Sequence, residues 1–322
     1  MILILSNKWD ITVDFVVREL KARRAKFLRI NTEDLTKDGV VFRFPGPCLV
    51  IGKGAKTFDL SQGVTAIWCR RPGKPYDYVP QDQKPSDAIQ KFASDQWHAC
   101  LEALELLRDV RWINPPTTND QMESKLRQLQ LASELGFRVP RTLISNRGEE
   151  IRAFCEAEGG CIVAKALYAP LIEETEQDFF IFSNVVTLAD LQNNESLSIA
   201  PSIFQQMLSP KIDYRVTVIG DKVLPVRITS SNEECLESAL DWRTREANVK
   251  FEVADIPRSI EQLCRQFVAH AGLTFGAIDL VEYAGDFFFL EINPNGEWGW
   301  LEKAVGAPIS AALCDILLAR EA

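Results

Sequence analysis

Acidic and amide residues occur near the end of the sequence, within two apolar stretches that can pair as a hairpin. If Tyr283 faces Phe287 across a three-residue loop, Asp279 lies directly opposite Glu291, and the alternation of side chains along a strand puts Asn293 on the same face. Two carboxylates that face each other repel unless a cation lies between them. Oxygen ligands of this kind suit magnesium held together with nucleotide phosphates. The stretch therefore predicts a Mg²⁺ site, with a solvated polar face of an edge hairpin as the alternative.

Two lysines and two arginines precede this hairpin at positions that fit the binding of an anion. Lys165 ends an apolar strand-like run, where a lysine can direct a compact cation into a cleft. Lys125 lies on a predicted helix, and the alternative to anion binding is an ordinary surface lysine. Arg215 and Arg227 occur in otherwise apolar strands and need anionic partners, which are either phosphate or a structural ion pair with Asp213 or a glutamate. The sequence contains neither a P-loop nor a dinucleotide-binding fingerprint.

The overall composition excludes several classes of protein. The 322 residues are 46% hydrophobic and 25% charged, which predicts a globular protein of two or three structural units. The net charge of −9 argues against nucleic acid as the main partner. No apolar stretch approaches the roughly 18 residues that span a bilayer, and the first residues lack the features of a secretory signal. Neither a nucleic acid nor a membrane partner is therefore expected.

Eight cysteines and two histidines limit the chemistry further. The cysteines are scattered without a Cys-x-x-Cys pair, which predicts reduced, mostly buried thiols in a cytoplasmic protein. His98 and His270 each lie in helix-like sequence, as packed or surface histidines do. A Ser-His-Asp triad is therefore not expected, and any chemistry must depend on carboxylates, lysines and arginines.

The elements that must position these residues fall into three successive units. Alternating apolar runs and amphipathic helices predict an α/β domain over residues 1–113. Its helix near residues 86–107 has apolar positions at intervals of three and four, which predicts a stripe facing the core. These positions are Ile89, Phe92, Ala93, Trp97, Leu101, Leu104 and Leu107. The Asn-Pro-Pro sequence at 114–116 marks a boundary. Residues 114–202 then predict an α+β lobe, and residues 203–322 predict a second, strongly β lobe.

Taken in order, the chemical motifs resemble those of a known superfamily. They are Lys125, Lys165, Gln205-Gln206-Met207-Leu208, Asp213-x-Arg215, Arg227, Asp279 and Glu291-x-Asn293. This series resembles the ATP-grasp superfamily over residues 114–322, with the α/β domain in the place of the usual pre-ATP-grasp domain. A finer resemblance, to the RimK-like branch and most closely to the microviridin-type (graspetide) peptide maturases, is carried by three more motifs. They are Arg70-Arg71-Pro72, Asp241-Trp242-Arg243 and Asn293-Pro294-Asn295-Gly296-Glu297-Trp298-Gly299-Trp300-Leu301-Glu302.

The resemblance implies a role for each motif. Lys125 and Lys165 would hold the α- and β-phosphates of ATP, and residues 205–208 would present backbone groups to adenine as a hinge between the lobes. Arg215 and Arg227 would face the γ-phosphate and the incoming carboxylate. Asp213 would contact Arg215 or ribose. Mg²⁺ would be held by Asp279, Glu291 and Asn293. An acidic peptide would be bound by Arg70, Arg71 and Arg243.

The implied activity is ATP-dependent ligation within a ribosomal precursor peptide that has a leader and an acidic core. An Asp or Glu side chain would be activated as an acyl phosphate, and a Thr or Ser hydroxyl, or a Lys amine, would close a macrocycle with release of ADP and phosphate. The alternatives are a ligase that adds a free amino acid to a protein or peptide and a non-catalytic nucleotide-binding module. The resemblance allows a homodimer and implies a leader-binding segment, for which residues 173–197 are the candidate. Residues 167–177 contain no glycine, so the loop that covers the phosphates is not located.

Overall fold

The computed structural model describes residues 1–43, 45, 48–168, 171–172, 179–180, 183–230 and 249–319. Within these ranges the chain forms both parallel and antiparallel sheets with helices between them, in agreement with the predicted α/β and α+β class. No helix in this part of the chain is both long enough and apolar enough to cross a membrane.

The first unit is built on a four-stranded parallel sheet. Its elements are β1 (Ile2–Ser6), α1 (Ile11–Ala22), β2 (Phe27–Asn31), α2 (Leu35–Asp38), β3 (Val40–Arg43), β4 (Cys48–Lys53), β5 (Lys56–Asp59), β6 (Ala66–Cys69), α3 (Asp87–Glu102) and β7 (Arg111–Ile113). The parallel sheet has the order β2-β1-β6-β7, and an antiparallel sheet has the order β3-β4-β5. All five residues of β1 are buried, as expected of a parallel strand covered on both faces.

The second unit contains a four-stranded antiparallel sheet. Its elements are α4 (Pro116–Met122), α5 (Lys125–Leu135), β8 (Thr142–Ser145), α6 (Gly148–Ala157), β9 (Cys161–Lys165), β10 (Leu171–Ile172), β11 (Phe179–Phe180), β12 (Asn184–Thr187), α7 (Asn194–Ser198) and β13 (Ser202–Gln206). The sheet has the order β12-β9-β13-β8, and β10 pairs only with β11 among the described strands. One face packs on α6, where Ile151 and Cys155 contact Ile162 and Phe204 in a small core.

The third unit is a five-stranded antiparallel sheet with helices on both faces. Its elements are β14 (Ile212–Ile219), β15 (Lys222–Ser230), β16 (Val249–Val253), α8 (Arg258–His270), β17 (Phe275–Tyr283), β18 (Asp286–Asn293), α9 (Gly299–Val305) and α10 (Ile309–Leu318). The sheet has the order β16-β15-β14-β17-β18. On one face Val216 and Ile278 pack with Phe267 of α8. On the other, Val226 and Phe275 belong to the core that includes α1 and α10.

Asn114 joins the first unit to the third. Its side chain is 1% exposed and accepts hydrogen bonds from the backbone N–H groups of Thr274 and Phe275, at 2.8 and 2.9 Å. The same amide donates to the carbonyl oxygens of Phe275 and Pro294, at 2.9 and 3.1 Å. A buried amide with both ends satisfied fixes the relative position of the backbone segments that it joins. The boundary predicted from the Asn-Pro-Pro sequence thus contains a buried contact between two units.

Helix α3 differs from the sequence prediction of a core-facing stripe. Trp97 and Leu101 are partly buried against the core of the first unit, but Ile89 is 52% exposed and Phe92 is 65% exposed. The predicted stripe is therefore wrong for its N-terminal half. The physical reason is geometric: the first unit covers one side of the helix, and the apolar positions extend round to the other side.

Candidate active site

Asp279 lies directly opposite Glu291 on the paired strands β17 and β18. Asp279 is 9% exposed, and the side chain of Glu291 is 23% exposed. Asn293, two residues further along β18, pairs with Ala277 and therefore lies on the same face as both carboxylates. The predicted pairing is confirmed, and three side chains with oxygen atoms share one patch of the sheet.

The register that produces this pairing differs from the predicted one. Tyr283 pairs with Asp286, not with Phe287, so the connecting loop has two residues, and both have positive φ angles. The register then shifts by one residue between Asp279 and Leu280, because β18 has a bulge at Leu290. The short turn and the bulge offset each other, and the carboxylates meet.

A positive charge lies against the buried carboxylate. Arg215 on β14 pairs with Asp279 across the ladder. Its Nε atom lies 2.6 Å from Asp279 Oδ1, and its terminal nitrogen donates to Oδ2 at 3.2 Å. Gly296 leaves room for this guanidinium, since a Cβ atom there would lie 3.4 Å from the Arg215 nitrogen and 2.5 Å from the Ala277 Cβ atom. The carboxylate, the guanidinium and the backbone after Asn293 thus form one close-packed group.

Lys125 connects the second unit to the acidic hairpin. It is the first residue of α5, and its Nζ atom donates to the carbonyl oxygen of Ala166, just beyond the end of β9, at 3.0 Å. The same Nζ atom lies 3.9 Å from Glu291 Oε2. The alternative of an isolated surface lysine does not hold, because Lys125 bridges the strand that ends at Lys165 and the strand that carries Glu291.

Lys165 and Gln205 share one face of the second unit's sheet. Lys165 pairs with Ile203, and Gln205 pairs with Val163. Because Ile162 and Phe204 on the alternate positions pack on α6, these side chains project to the opposite face. Gln205 donates a hydrogen bond to Thr142 Oγ1 at 3.0 Å. Lys165 therefore lies on the same face of this sheet as Gln205 of the predicted hinge, as the predicted nucleotide site requires.

Residues 205–208 lead from the sheet of the second unit into that of the third. Gln206 ends β13, and its backbone N–H donates to the Arg141 carbonyl oxygen at 2.9 Å. The N–H groups of Met207 and Leu208 form no backbone hydrogen bond with another described residue, although Leu208 is 5% exposed. Buried backbone donors normally find a partner. The contact of this hinge with adenine stays a prediction.

The residues of the acidic hairpin fit a magnesium ion. Asp279, Glu291 and Asn293 offer carboxylate and amide oxygens, the donors that Mg²⁺ prefers. Arg215 and Lys125 lie beside the two carboxylates and balance part of their charge. We therefore expect the ion to be held by these three residues together with nucleotide phosphates.

Two predicted site residues are placed differently. Arg227 pairs with Tyr214, so it lies on the face opposite to Arg215, and on its other side it pairs with Glu252. The expectation that Arg227 and Arg215 face the same anion is therefore wrong. Asp213 shares the face of Arg215, and both of its carboxylate oxygens accept hydrogen bonds from Lys211 Nζ, at 2.6 and 2.7 Å. Its contact with ribose stays a prediction.

Arg70 and Arg71 hold the loop that follows Asn293. Arg70 is 1% exposed, donates to the Asn295 carbonyl oxygen and lies 3.3 Å from Asp10 Oδ2 through its Nε atom. Burial lowers the pKa of Arg70 to about 10, which leaves it charged at neutral pH. Arg71 is more exposed, and it donates to Asn295 O at 3.2 Å and to Glu297 Oε1 at 2.5 Å.

These contacts correct part of the predicted peptide-docking surface. The docking role of Arg70 is wrong, because a buried guanidinium that already binds a carbonyl and a carboxylate cannot reach a peptide. Arg71 has 41% of its side chain exposed and keeps that role as a prediction. Arg243, with the rest of the Asp-Trp-Arg motif, lies outside the described residues, as does part of the 167–177 segment.

Gln128 is a site residue that the sequence analysis missed. It lies three residues after Lys125 on α5 and is 3% exposed. Its amide accepts a hydrogen bond from the Ile292 N–H and donates one to the Ile292 carbonyl oxygen, both at 3.0 Å. Gln128 thus holds β18 between its two predicted metal ligands. The only signal in the sequence is a polar residue one helical turn from Lys125.

Comparison with known proteins shows which folds this chain resembles. No protein-family model and no curated protein matches the sequence. Among solved structures, the Microcystis aeruginosa macrocyclase MdnC bound with the precursor peptide MdnA is 27% identical, with 99% of each chain covered and a TM-score of 0.84. Macrocyclase MdnB of the same organism is 26% identical, with 98% of each chain covered and a TM-score of 0.77.

A third solved structure aligns with a higher TM-score. It is a Chryseobacterium gregarium RiPP-associated ATP-grasp ligase in complex with ADP and a leader and core peptide. It is 24% identical, with 98% of this chain and 96% of that chain covered and a TM-score of 0.86. The alignments include the N-terminal unit as well as both lobes. The predicted fold class is confirmed, and so is the resemblance: this chain has the fold of the ATP-grasp ligases that act in ribosomal peptide maturation.

Proposed function

We propose that this chain is an ATP-dependent, ADP-forming ligase that activates carboxylates of a peptide as acyl phosphates. The observation that carries the proposal is the position of Lys125, which contacts the end of β9 in one sheet and lies 3.9 Å from Glu291 in the other. A lysine on α5 therefore lies between the end of β9 in one sheet and the paired carboxylates in the other, where a nucleoside triphosphate with Mg²⁺ would fit.

The residues of this group supply the charges that phosphoryl transfer requires. Lys125 and Lys165 bind phosphate oxygens, and Asp279, Glu291 and Asn293 hold Mg²⁺, which neutralises charge on the transferring group. Arg215 lies on the same face, where it pairs with Asp279 and balances part of the negative charge of the site. Positioning and charge stabilisation are the main contributions of a protein to this reaction.

The proposed substrate is a ribosomal precursor peptide with a leader and an acidic core. In it, an activated Asp or Glu side chain closes a ring with a Thr or Ser hydroxyl or with a Lys amine. Support comes from the fold shared, over nearly the whole chain, with two macrocyclases, of which MdnC is bound with a precursor peptide. The exposed Arg71 supplies one cation for an acidic core.

We assign the binding of the leader to residues 173–197. This segment includes the described strand β12 and the described helix α7. Residues 173–178 and 181–182 of this segment lie outside the described residues. Cysteines 69, 100, 155, 161, 264 and 314 are free thiols, which favours a reducing, ATP-containing cytoplasm as the place of the reaction.

Co-expression with a short acidic precursor peptide tests the function. The intact mass of the peptide should fall by one water for each ring, and Glu291→Gln should abolish the change. Mild base then separates esters, which hydrolyse, from amides, which do not.

Other results would contradict the proposal. A peptide that gains the mass of an amino acid would identify a ligase for free amino acids. An unchanged peptide, with ADP bound but no ATP consumed under any supply of peptide or amino acid, would identify a nucleotide-binding module.

A further inference from the structure

The parallel sheet of the first unit has a point at which successive connections diverge. In the order β2-β1-β6-β7, the chain leaves β1 for β2 on one side and returns to β6 on the other side. Helix α1, between β1 and β2, packs on one face of the sheet, whereas β4 and β5, which precede β6, pack on the opposite face. The segments that follow β1 and β6 therefore separate beyond the carboxyl ends of these strands. Ligands of open parallel sheets generally bind in the crevice at such a point.

Two exposed aromatic side chains lie on the segments that flank this crevice. Trp9, three residues after β1, is 70% exposed, and Tyr78, nine residues after β6, is 53% exposed. Their ring centroids are 5.8 Å apart, and the rings are tilted by 57°. Tyr78 has a backbone φ of +63°, which is unfavourable for a bulky residue, and strain of this kind is concentrated at binding sites. Two rings far apart in sequence are thus held together while most of their surface stays open to solvent.

Close contacts fix the two segments that carry these rings. The backbone N–H of Trp9 donates to Asn7 Oδ1 at 2.9 Å, and that of Lys8 donates to Glu33 Oε1 at 2.8 Å. Gly73, after β6, lies against both acceptors: a Cβ atom there would be 2.6 Å from Glu33 Oε2 and 3.2 Å from Asn7 Cβ. The segments after β1 and β6 therefore support each other. A rigid aromatic pair loses little conformational entropy when it binds a ligand.

The aromatic pair is connected to the candidate active site. The side chain of Asn7 donates to the carbonyl oxygen of Arg71 at 2.8 Å, and Arg71 in turn donates to the carbonyl oxygen of Asn295 at 3.2 Å. Asn295 follows the proposed metal ligand Asn293 by two residues. An extended peptide advances about 3.3 Å per residue, so a peptide with a carboxylate at the metal site would reach Trp9 within a few residues by way of Arg71.

On the basis of the proposed peptide-ligase function, we propose that Trp9 and Tyr78 bind an aromatic side chain of the precursor core, a few residues from the carboxylate that is activated. The peptide ring packs on the open faces of the pair, as aromatic rings do at centroid distances like the one observed here. Cations beside the pair favour an acidic peptide. Arg71 is 41% exposed, and Lys74, on the same segment as Tyr78, is exposed and forms no ion pair with a described residue.

Titration calorimetry of the full chain with two synthetic peptides tests this contact. The peptides have equal length and the same acidic residues, and one has Phe where the other has Ala beside a central Glu. With ADP and Mg²⁺ present, the wild type should bind the Phe peptide roughly tenfold more tightly than the Ala peptide. Trp9→Ala and Tyr78→Ala should each bind the two peptides with similar affinity, because the pair that selects the ring is broken.

Two further variants separate this contact from the proposed function. Phe92→Ala is the matched control, since Phe92 is an aromatic residue of the same unit, 65% exposed on α3, and this variant should keep the preference. Arg71→Met should weaken the binding of both peptides by the same factor, because both carry the same charge. Equal affinities in the wild type, or a preference that persists in Trp9→Ala, would overturn the aromatic contact alone. If the wild type binds neither peptide, the proposed peptide substrate is itself wrong, and the aromatic contact with it.

Discussion

Arg215 and Asp279 form a buried ion pair on the face of the sheet that carries the expected metal ligands. Their side chains are 5% and 13% exposed, and the shortest contact between them is 2.6 Å. Glu291, opposite Asp279, has a more exposed side chain at 23%. Since removal of one partner from a buried pair is far more costly than from an exposed one, the two carboxylates must differ in their effect on stability.

Replacement of each carboxylate by its amide separates these effects. Both Asp279→Asn and Glu291→Gln should abolish ATP turnover, because each removes a proposed metal ligand. Asp279→Asn should also lower the free energy of unfolding by about 3–5 kcal/mol, since it removes the buried charge that lies 2.6 Å from the Arg215 guanidinium. Glu291→Gln should change it by less than about 1 kcal/mol. ATP hydrolysis and urea unfolding measure the two quantities.

Asp286→Asn is the control for this pair. Asp286 lies at the turn end of the same hairpin in an exposed ion pair with Arg138, so both turnover and stability should be retained. Normal turnover in either amide variant of the site would contradict the metal assignment. Equal loss of stability in both would contradict the distinct role of Arg215.

Lys125 should contribute to nucleotide binding more than to folding. Lys125→Met removes a cation that would bind phosphate, so the affinity for ADP with Mg²⁺ should fall roughly 10- to 100-fold, the range of a charge-assisted hydrogen bond. Lys250→Met, in which the lost lysine is 72% exposed on β16, is the matched control. Titration calorimetry measures both, and an equal affinity in the two variants would remove Lys125 from the site.

The pairing of Asp279 with Glu291 could be predicted because apolar alternation and turn residues limit which strand positions can meet. The loop length was predicted one residue too long, and the bulge at Leu290 compensated for this error. A bulge has no dependable signature in a single sequence, since one extra residue looks like any other strand residue. The sequence therefore predicts that the two carboxylates meet, but not the register that brings them together.

The sequence predicts on which strand a side chain lies better than it predicts to which face of the sheet that side chain projects. β15 has apolar residues that pack into a core on each face, Val223 on one and Val226 on the other, so its pattern cannot show to which face Arg227 projects. Arg70 is buried because Asp10 and the Asn295 carbonyl, distant in sequence, supply its partners. Both errors have one cause: the partners of these arginines are brought together only by the tertiary fold.

Gln128 should act on the site by positioning β18. Gln128→Ala leaves the N–H and carbonyl groups of Ile292 without their partner and should lower the free energy of unfolding by about 1–3 kcal/mol. Because Glu291 and Asn293 flank Ile292, the Mg²⁺ concentration for half-maximal turnover should rise, with the Km for peptide less affected. Gln130→Ala on the same helix is the control, since Gln130 donates only to the exposed Glu134 among described residues. A loss of stability without a change in Mg²⁺ dependence would leave Gln128 a purely structural residue.

Arg70 and Arg71 are adjacent, and their substitution should have opposite consequences. Arg70→Met leaves Asp10, whose side chain is 1% exposed, without its charge partner and should cost about 3–5 kcal/mol of unfolding free energy. Arg71→Met breaks an exposed pair with Glu297 and should cost less than about 1 kcal/mol, but it should raise the Km for an acidic peptide severalfold while the Km for ATP stays unchanged. Urea unfolding and steady-state kinetics with the two substrates measure these effects. If Arg71→Met instead raises neither Km, its guanidinium serves only to hold the loop after Asn293, and the cation that binds the peptide must be another residue.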